Sequence, residues 1–343
     1  MGTNPLLRYL LRRLGTALFV LLGVSFFTFI LSHSISADPL TAWFGKGVSI
    51  DPNLAQIYIK QYHFNDPVYI QYLYYVQGML HGDLGYSAAK GEAVAIAIAQ
   101  TLPYTLQLVF LSLIFTAIIG IVSGLIGAKN ANKWPDKTVR AAYIIGFATP
   151  PFFIAIVVIL IFSLLLPFLP TSGAMNISLA PPRPVTGLPI LDAAITGDWA
   201  AFDSLIAHAI LPSLANALAV YGIMTRVLRS TLLDVMQSNF VTAARARGIS
   251  ERKIFYHYAF SNSLVTLVTM VALMFTFILG STIFVEYIFS YPGMGSYVVQ
   301  ATLLIDYPSI LATTLVFATM IIIVNLLADV LYAVVDPRIR YQR

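Results

Sequence analysis

The chain has 343 residues, 58% of them hydrophobic and only 10% charged, with a formal net charge of +5. Soluble domains carry roughly 25% charged residues, so this balance excludes a soluble globular protein and indicates an integral membrane one. There is no cysteine, which excludes disulfide and thiolate chemistry.

A basic lead with Arg8, Arg12 and Arg13 opens the chain, followed by residues 14–37 without Asp, Glu, Lys or Arg. That run is too long for the apolar core of a typical signal peptide and others follow it, so it reads as a retained first helix. The same lack of charge holds for residues 93–128, 141–182, 204–225, 254–285 and 307–328. Each run exceeds the roughly 20 residues that cross about 30 Å of hydrocarbon as a helix. The expectation is an all-α protein with six transmembrane helices.

Six spans put both termini on one side, with the loops near 129–140 and 226–253. All but four of the 20 Lys and Arg (Lys46, Lys60, Lys90 and Arg183) fall on that side. The positive-inside bias places it in the cytoplasm. Topology thus accounts for the basic balance, and nucleic-acid binding is not needed to explain it; membrane lipid is the expected surrounding partner.

Between the first two spans, residues 35–100 form a long external segment rich in aromatics and prolines, including Trp43, Tyr58, Tyr62, Tyr69, Tyr72, Tyr74 and Tyr75. Residues 53–62 and 68–79 read as short helices, each after a proline. The tyrosines suit the core of a small external cap. The run from His81 to Ser87 reads as a glycine-punctuated turn. A second external stretch, 169–203, carries Pro170, Pro181, Pro182, Pro184 and Pro189, with a short helix expected over 191–196. In the third, Tyr291-Pro292-Gly293-Met294-Gly295 is expected to be a turn. Pro103, Pro150, Pro151, Pro167 and Pro212 lie within or at the ends of spans, where kinks are tolerated. Gly120, Gly124 and Gly127 have the small-residue spacing of close helix packing.

Chemistry is sparse. There is no G-x-x-x-x-G-K-[S/T] phosphate loop, no H-E-x-x-H and no Cys/His cluster. If ATP drives the protein, another polypeptide binds it. The ionisable groups in or beside spans are His33, His208, Glu286 and Asp329, and the span centres are almost free of charge. That argues against an ion-coupled carrier.

Residues 240–264 stand out as polar and basic between two apolar runs. Thr242, Ala243 and Ala244 offer small side chains, and Gly248 suits a left-handed helix stop. Ile249, Ile254 and Phe255 could fill a hydrophobic cleft in a partner, and Arg245, Arg247, Arg252 and Lys253 its acidic rim. The alternatives are a docking helix, expected over 240–256, and a basic loop lying on lipid headgroups.

The run Thr242-Ala243-Ala244-Arg245-Ala246-Arg247-Gly248-Ile249-Ser250 resembles the A-A-x-x-x-G signature of permease subunits in binding-protein-dependent ABC importers, in their dipeptide/oligopeptide/nickel branch. Matching pieces follow in the expected order: Gly82-Asp83-Leu84-Gly85-Tyr86-Ser87, Leu102-Pro103-Tyr104-Thr105-Leu106, Thr149-Pro150-Pro151-Phe152, Leu169-Pro170-Thr171-Ser172-Gly173 and Leu211-Pro212-Ser213-Leu214. The last third adds Val285-Glu286-Tyr287-Ile288-Phe289, Pro292-Gly293-Met294-Gly295, Asp306-Tyr307-Pro308 and Asp336-Pro337-Arg338-Ile339-Arg340. Thr242 stands where the broader signature has Glu, and His257, Tyr258 and Thr266 depart from the branch pattern.

The resemblance implies the type I importer permease architecture. Residues 1–34 would be the cytoplasmic lead and first helix, 35–100 an external segment, 101–333 a five-helix core with a cytoplasmic coupling loop at 229–263, and 334–343 a cytoplasmic tail. It implies a homologous second permease subunit, two cytosolic ATPase subunits that bind the ATP and Mg, and an external solute-binding protein. The chain itself would hold no cofactor or metal and do no bond chemistry. ATPase coupling would fall to Thr242, Ala243, Ala244, Arg245, Arg247, Gly248, Ile249, Ile254 and Phe255, and an external gate to Glu286, Pro292, Gly293 and Gly295. The default cargo is a peptide, with oligosaccharide or nickel as alternatives. A stand-alone carrier or channel is the reading from a different class. The implied location is the plasma membrane of a prokaryote.

Overall fold

The computed structural model describes residues 5–35, 56, 59, 60 and 63–335. The helix expected over 53–62, Trp43 and the Asp336–Arg340 motif lie outside the described residues, as do the side chains of His33 and Asp329. Helices dominate, because lipid offers backbone groups no hydrogen-bond partners and each span must satisfy them internally. Long apolar helices run over Pro5–Ile35 (α1), Val94–Lys129 (α3), Trp199–Met236 (α7), Phe260–Ile288 (α9) and Tyr307–Val335 (α11). Each contains a stretch long and apolar enough to cross a membrane.

The third expected span is not one helix. Trp134–Ala148 (α4) and Pro151–Ile159 (α5), the latter continued by a π-helical turn over Leu160–Leu165, meet at a 109° bend. Thr149 and Pro150 there take extended backbone, ψ 127° and 140°. A residue before proline is pushed out of the helical region, and two consecutive prolines enforce that twice. Among the described residues, the pair makes six spans if counted as one broken span; counted strictly, there are five. Beyond Leu166 the proline-rich stretch is irregular as far as Pro189–Thr196 (α6).

The described residues form two compact units. One comprises those up to Pro103 and from Pro292 to Leu326; the other comprises Tyr104 to Tyr291 and those beyond Leu327. In the first, Val68–Leu80 (α2) lies against α1: Phe29, Phe64, Tyr75, Leu311 and Leu315 make one apolar cluster, with Tyr72, Val76 and Met79 around it. Tyr72 sets its ring edge-on to Phe29 at 5.4 Å, and its hydroxyl lies 2.7 Å from Ser25 Oγ. Tyr75 is therefore a core residue with Tyr72 half-buried beside it, both packed with residues of α1 and α11, while Tyr69 and Tyr74 stay exposed. A two-residue antiparallel hairpin, Tyr86–Ser87 (β1) with Glu92–Ala93 (β2), follows the turn at Gly82 and Gly85, both at positive φ.

In the second unit α7 is the central helix. Its buried stripe is rich in small residues (Ala209, Ser213, Ala217, Gly222), which admit neighbouring backbones closely. A Cβ on Gly120 or Gly124 of α3 would lie 3.0 Å from Met224 or Leu228, as the spacing of those glycines suggested. Asn216 of α7 donates to Thr282 Oγ1 of α9 and accepts from Ser281, tying the two spans by buried hydrogen bonds.

Candidate functional site

Residues 236–259 carry the strongest sequence signal. Here α7 ends at Met236, and Asn239–Ala246 (α8) follows. Helical spacing turns Val241 and Ala244 inward, where they form a small core with Ile254, Met236 and Ile249. The same periodicity leaves Thr242, Ala243, Arg245, Ala246 and Arg247 exposed. Two backbone bonds close the helix: Gly248 N–H to Arg245 O at 2.9 Å and Ile249 N–H to Ala244 O at 3.2 Å. This pairing needs a left-handed residue between them, and Gly248 supplies it at φ +73°.

Two expectations are corrected here. The helix anticipated over 240–256 is broken, because the left-handed Gly248 ends α8 and a new helix starts at Glu251. That restart runs through a π-helical segment, Ile254–Ala259, into α9. Ile254 is fully buried, Phe255 is 8% exposed, and Ile249 packs on the α8 core. These three side chains, expected to enter a partner's cleft, anchor the segment within its own chain. When two short segments fold back on each other, their apolar residues meet before any partner can reach them. Ala244 is buried as well.

The basic residues divide in the same way. Arg245 grips Glu251 through Nε–Oε1 at 2.6 Å and Nη2–Oε2 at 3.2 Å, spanning the break at Gly248. The hydrogen bond from Arg245 holds the Glu251 carboxyl below its ordinary range. Arg247, Arg252 and Lys253 remain exposed. Lys129, the last residue of α3, reaches the Tyr256 hydroxyl at 3.2 Å.

The expected gate residues sit apart in role. Glu286 is completely buried near the end of α9, where it accepts a hydrogen bond from Thr105 Oγ1 at 2.7 Å. Two motifs distant in sequence, Leu102–Leu106 and Val285–Phe289, thus meet through one bond. Beside them Gln107 donates to the Tyr291 hydroxyl at 2.8 Å and accepts from Ile190 N–H at 2.9 Å. Pro292 is exposed and Gly293 caps Met294–Leu304 (α10). The turn is therefore shorter than expected: Met294 and Gly295 already belong to the helix, and Gly295 is buried.

Sequence reasoning assigned no role to several residues that the structure brings together. Asp306, fully buried, caps α11 and accepts from Ser87 Oγ (2.8 Å), Ala89 N–H (3.0 Å) and Ser309 Oγ (2.7 Å). It pins the hairpin to the start of α11. The signal was an Asp directly before Tyr-Pro, the pattern of a capped helix start. Asp192 in α6 is likewise enclosed. Burial would raise its carboxyl, but hydrogen bonds from the Thr186 hydroxyl and from the N–H groups of Thr186 and Gly187 outweigh it and hold it below the ordinary range. Among the described residues no three His, Asp or Glu converge as metal ligands.

The pattern defining the "Binding-protein-dependent transport system inner membrane component" family matches residues 117–341, and that of its N-terminal domain matches residues 6–109. The chain is 35% identical over 322 residues to the probable D,D-dipeptide transport system permease protein DdpB of Escherichia coli (strain K12), covering 93% of this chain and 94% of that one. It is 33% identical to the oligopeptide transport system permease protein AppB of Bacillus subtilis (strain 168), over 97% of this chain and 99% of that one. Identity to the dipeptide transport system permease protein DppB of Escherichia coli (strain K12) is 32%, over 98% of this chain and all of the other.

Proposed function

From the premise that the chain belongs to the family of inner membrane components of binding-protein-dependent transport systems, we propose that it forms one half of the pore of an ATP-driven peptide importer. A homologous permease would supply the other half, and an external binding protein would deliver cargo. Two cytosolic ATPase subunits would bind ATP and Mg. The relatives are named for dipeptide and oligopeptide transport, which supports a peptide cargo here. In this reading both termini and the 236–259 segment face the cytoplasm, the chain does no bond chemistry, and the span residues stay neutral along the path.

The observation that carries the proposal is the exposed small-residue face of α8, closed by a left-handed Gly248. Thr242, Ala243, Arg245, Arg247 and Gly248 form the surface an ATPase would grip, while Val241, Ala244, Ile249, Ile254 and Phe255 hold that surface to α7 and α9. ATP-driven closure of the motor would push on α8 and rock the attached spans, opening the pore by alternating access.

The natural test is to purify the chain with its native neighbours in liposomes. ATPase activity is then measured with peptide-loaded and with oligosaccharide-loaded binding protein. Stimulation by the peptide-loaded form alone is expected. A preparation without an associated ATPase that still moves solute would refute the importer assignment, and stimulation by the oligosaccharide form would refute the cargo.

A further inference from the structure

Asp136, in the first turn of α4, is fully buried and pairs with Arg229 of α7: Nε–Oδ1 2.6 Å and Nη2–Oδ2 2.8 Å. Asn132 N–H also donates to Asp136 Oδ2 at 2.9 Å, and Arg140 lies 3.6 Å away. A bidentate pair of this kind fixes angle as well as distance. Removing one partner of a buried pair leaves an uncompensated charge, so the geometry resists opening.

Further along the same two helices, Gly146 and Gly222 let the backbones touch. A Cβ on Gly146 would lie 2.7 Å from Leu218 O, and one on Gly222 would lie 2.9 Å from Tyr143 Cβ. Helices α4 and α7 are therefore joined at two levels, by a charge clamp near one end and a glycine crossing further on. Arg229 lies in the last two turns of α7, and Met236 at the end of that helix packs in the α8 core, so α8 and the clamp to α4 bear on the same end of α7. At its other end α4 stops at the bend before Pro150 and Pro151.

We propose that Asp136 and Arg229 are positioning residues of the transport cycle. They clamp α4 to α7 so that the two helices move as one lever, carrying a push on α8 to the proline bend at Thr149. This rests on the assignment of α8 as the ATPase-gripping segment. Neither residue touches cargo or nucleotide; the pair acts by making the displacement of α7 the displacement of α4.

The test uses the whole importer in liposomes, with uptake and ATP hydrolysis measured on the same preparation. Asp136→Asn and Arg229→Met should retain the ATPase subunits but lower solute moved per ATP by about two- to thirtyfold, the span expected when a coupling network is weakened. The swap Asp136→Arg/Arg229→Asp should recover part of that ratio. If assembled Asp136→Asn complexes move as much solute per ATP as the wild type, the pair is merely structural and the proposal falls.

A second variant does not depend on losing the clamp. The chain has no cysteine of its own, so Tyr143→Cys/Gly222→Cys places the only two thiols across the glycine crossing. Their β-carbons need to part by less than an ångström to reach the usual disulfide separation of about 3.5–4.5 Å. Oxidised, this protein should transport as fast as when reduced, because parts that move together lose nothing by being tied. Transport that stops on oxidation and returns on reduction, or thiols that never join, would overturn the lever. A wild-type importer that retains no ATPase would instead overturn the coupling assignment itself.

Discussion

Gly248 offers the sharpest separation of strain within this chain from contact with a partner. Its φ of +73° is a conformation that L side chains rarely adopt, yet a Cβ built there meets nothing within 4 Å. Replacing it with Ala therefore adds only backbone strain, about 1–2 kcal/mol, a factor of roughly 5–30 against the observed turn. Much of that is resisted locally. The turn is held by the Ile249–Ala244 bond, the α8 core and the Arg245–Glu251 bridge across it.

A Trp at the same position carries a similar strain, since the space around it is open in this chain. It differs from Ala only in what it presents outward. Gly248→Asn should come nearest to the wild type, because Asn tolerates the left-handed region. The assay is uptake and ATP hydrolysis by the reconstituted importer, with thermal unfolding in detergent as the control for folding. Ala and Trp variants should unfold at similar temperatures, yet Trp should abolish uptake where Ala only reduces it. Equal uptake by the two would refute the argument that Gly248 faces a closely fitted partner.

The remaining expectations concern stability. Gly146→Ala drives a methyl group to 2.7 Å from the Leu218 carbonyl, a backbone atom that cannot swing aside, and should cost about 1–3 kcal/mol; thermal unfolding should show it, while Gly280→Ala, inside a helix with open space around it, should be neutral or stabilising by up to about 1 kcal/mol. Asp306→Ala strips the acceptor from buried donors on Ser87, Ala89 and Ser309 and should cost about 1–3 kcal/mol, loosening the hairpin enough for trypsin to cut after the exposed Lys90; Asp306→Asn, which keeps one acceptor oxygen, should be cut more slowly. For Asp192 the folded carboxyl titrates below its ordinary value of 3.8. Its contribution is thus complete above that value and is lost as pH falls through the lower, folded one. Asp192→Asn should flatten the acid limb of stability against pH below about 4, and an unchanged limb would show that the Thr186 and Gly187 bonds contribute nothing.

What the sequence made legible was whatever one element decides alone. Charge-free runs located five spans because hydrocarbon thickness sets their length, and Gly248 was readable because a single residue carries the requirement for positive φ. The third span is two helices rather than one because a count of apolar residues locates a span without giving the angle at Pro150 and Pro151, which turn the backbone regardless of hydropathy. The hairpin at Tyr86–Ala93 has only two residues per strand, too few for an alternating pattern. Asp306, Asp136 and Arg229 were hidden for another reason. Each acquires its meaning from a partner brought near by folding, and Asp136 is separated from Arg229 by 93 positions; in the sequence it is one acid among basic loop residues.

The misreading of Ile254 and Phe255 bears on how a push on α8 could reach the membrane. An apolar side chain in a basic loop looks the same whether it awaits a partner or the chain's own core. If Ile249, Ile254 and Phe255 entered a partner, α8 would be a tethered peptide, free to yield under load. With Ile254 and Phe255 buried and Ile249 half-buried against the same small core, α8 is fixed on one flank to Met236 at the end of α7, on the other to the π-helical start of α9, and across its break by Arg245 and Glu251. A displacement of α8 therefore loads α7 and α9 through these contacts. In the proposed importer, the residues of this segment that face outward would bind the ATPase, and those that face inward would make that binding consequential. Softening the inner set should therefore leave the ATPase attached while uptake declines: Ile254→Ala, a deletion costing about 2–5 kcal/mol in a filled core, tests this by the ratio of ATPase retained to solute moved. Loss of the ATPase together with uptake would place Ile254 on the docking face after all.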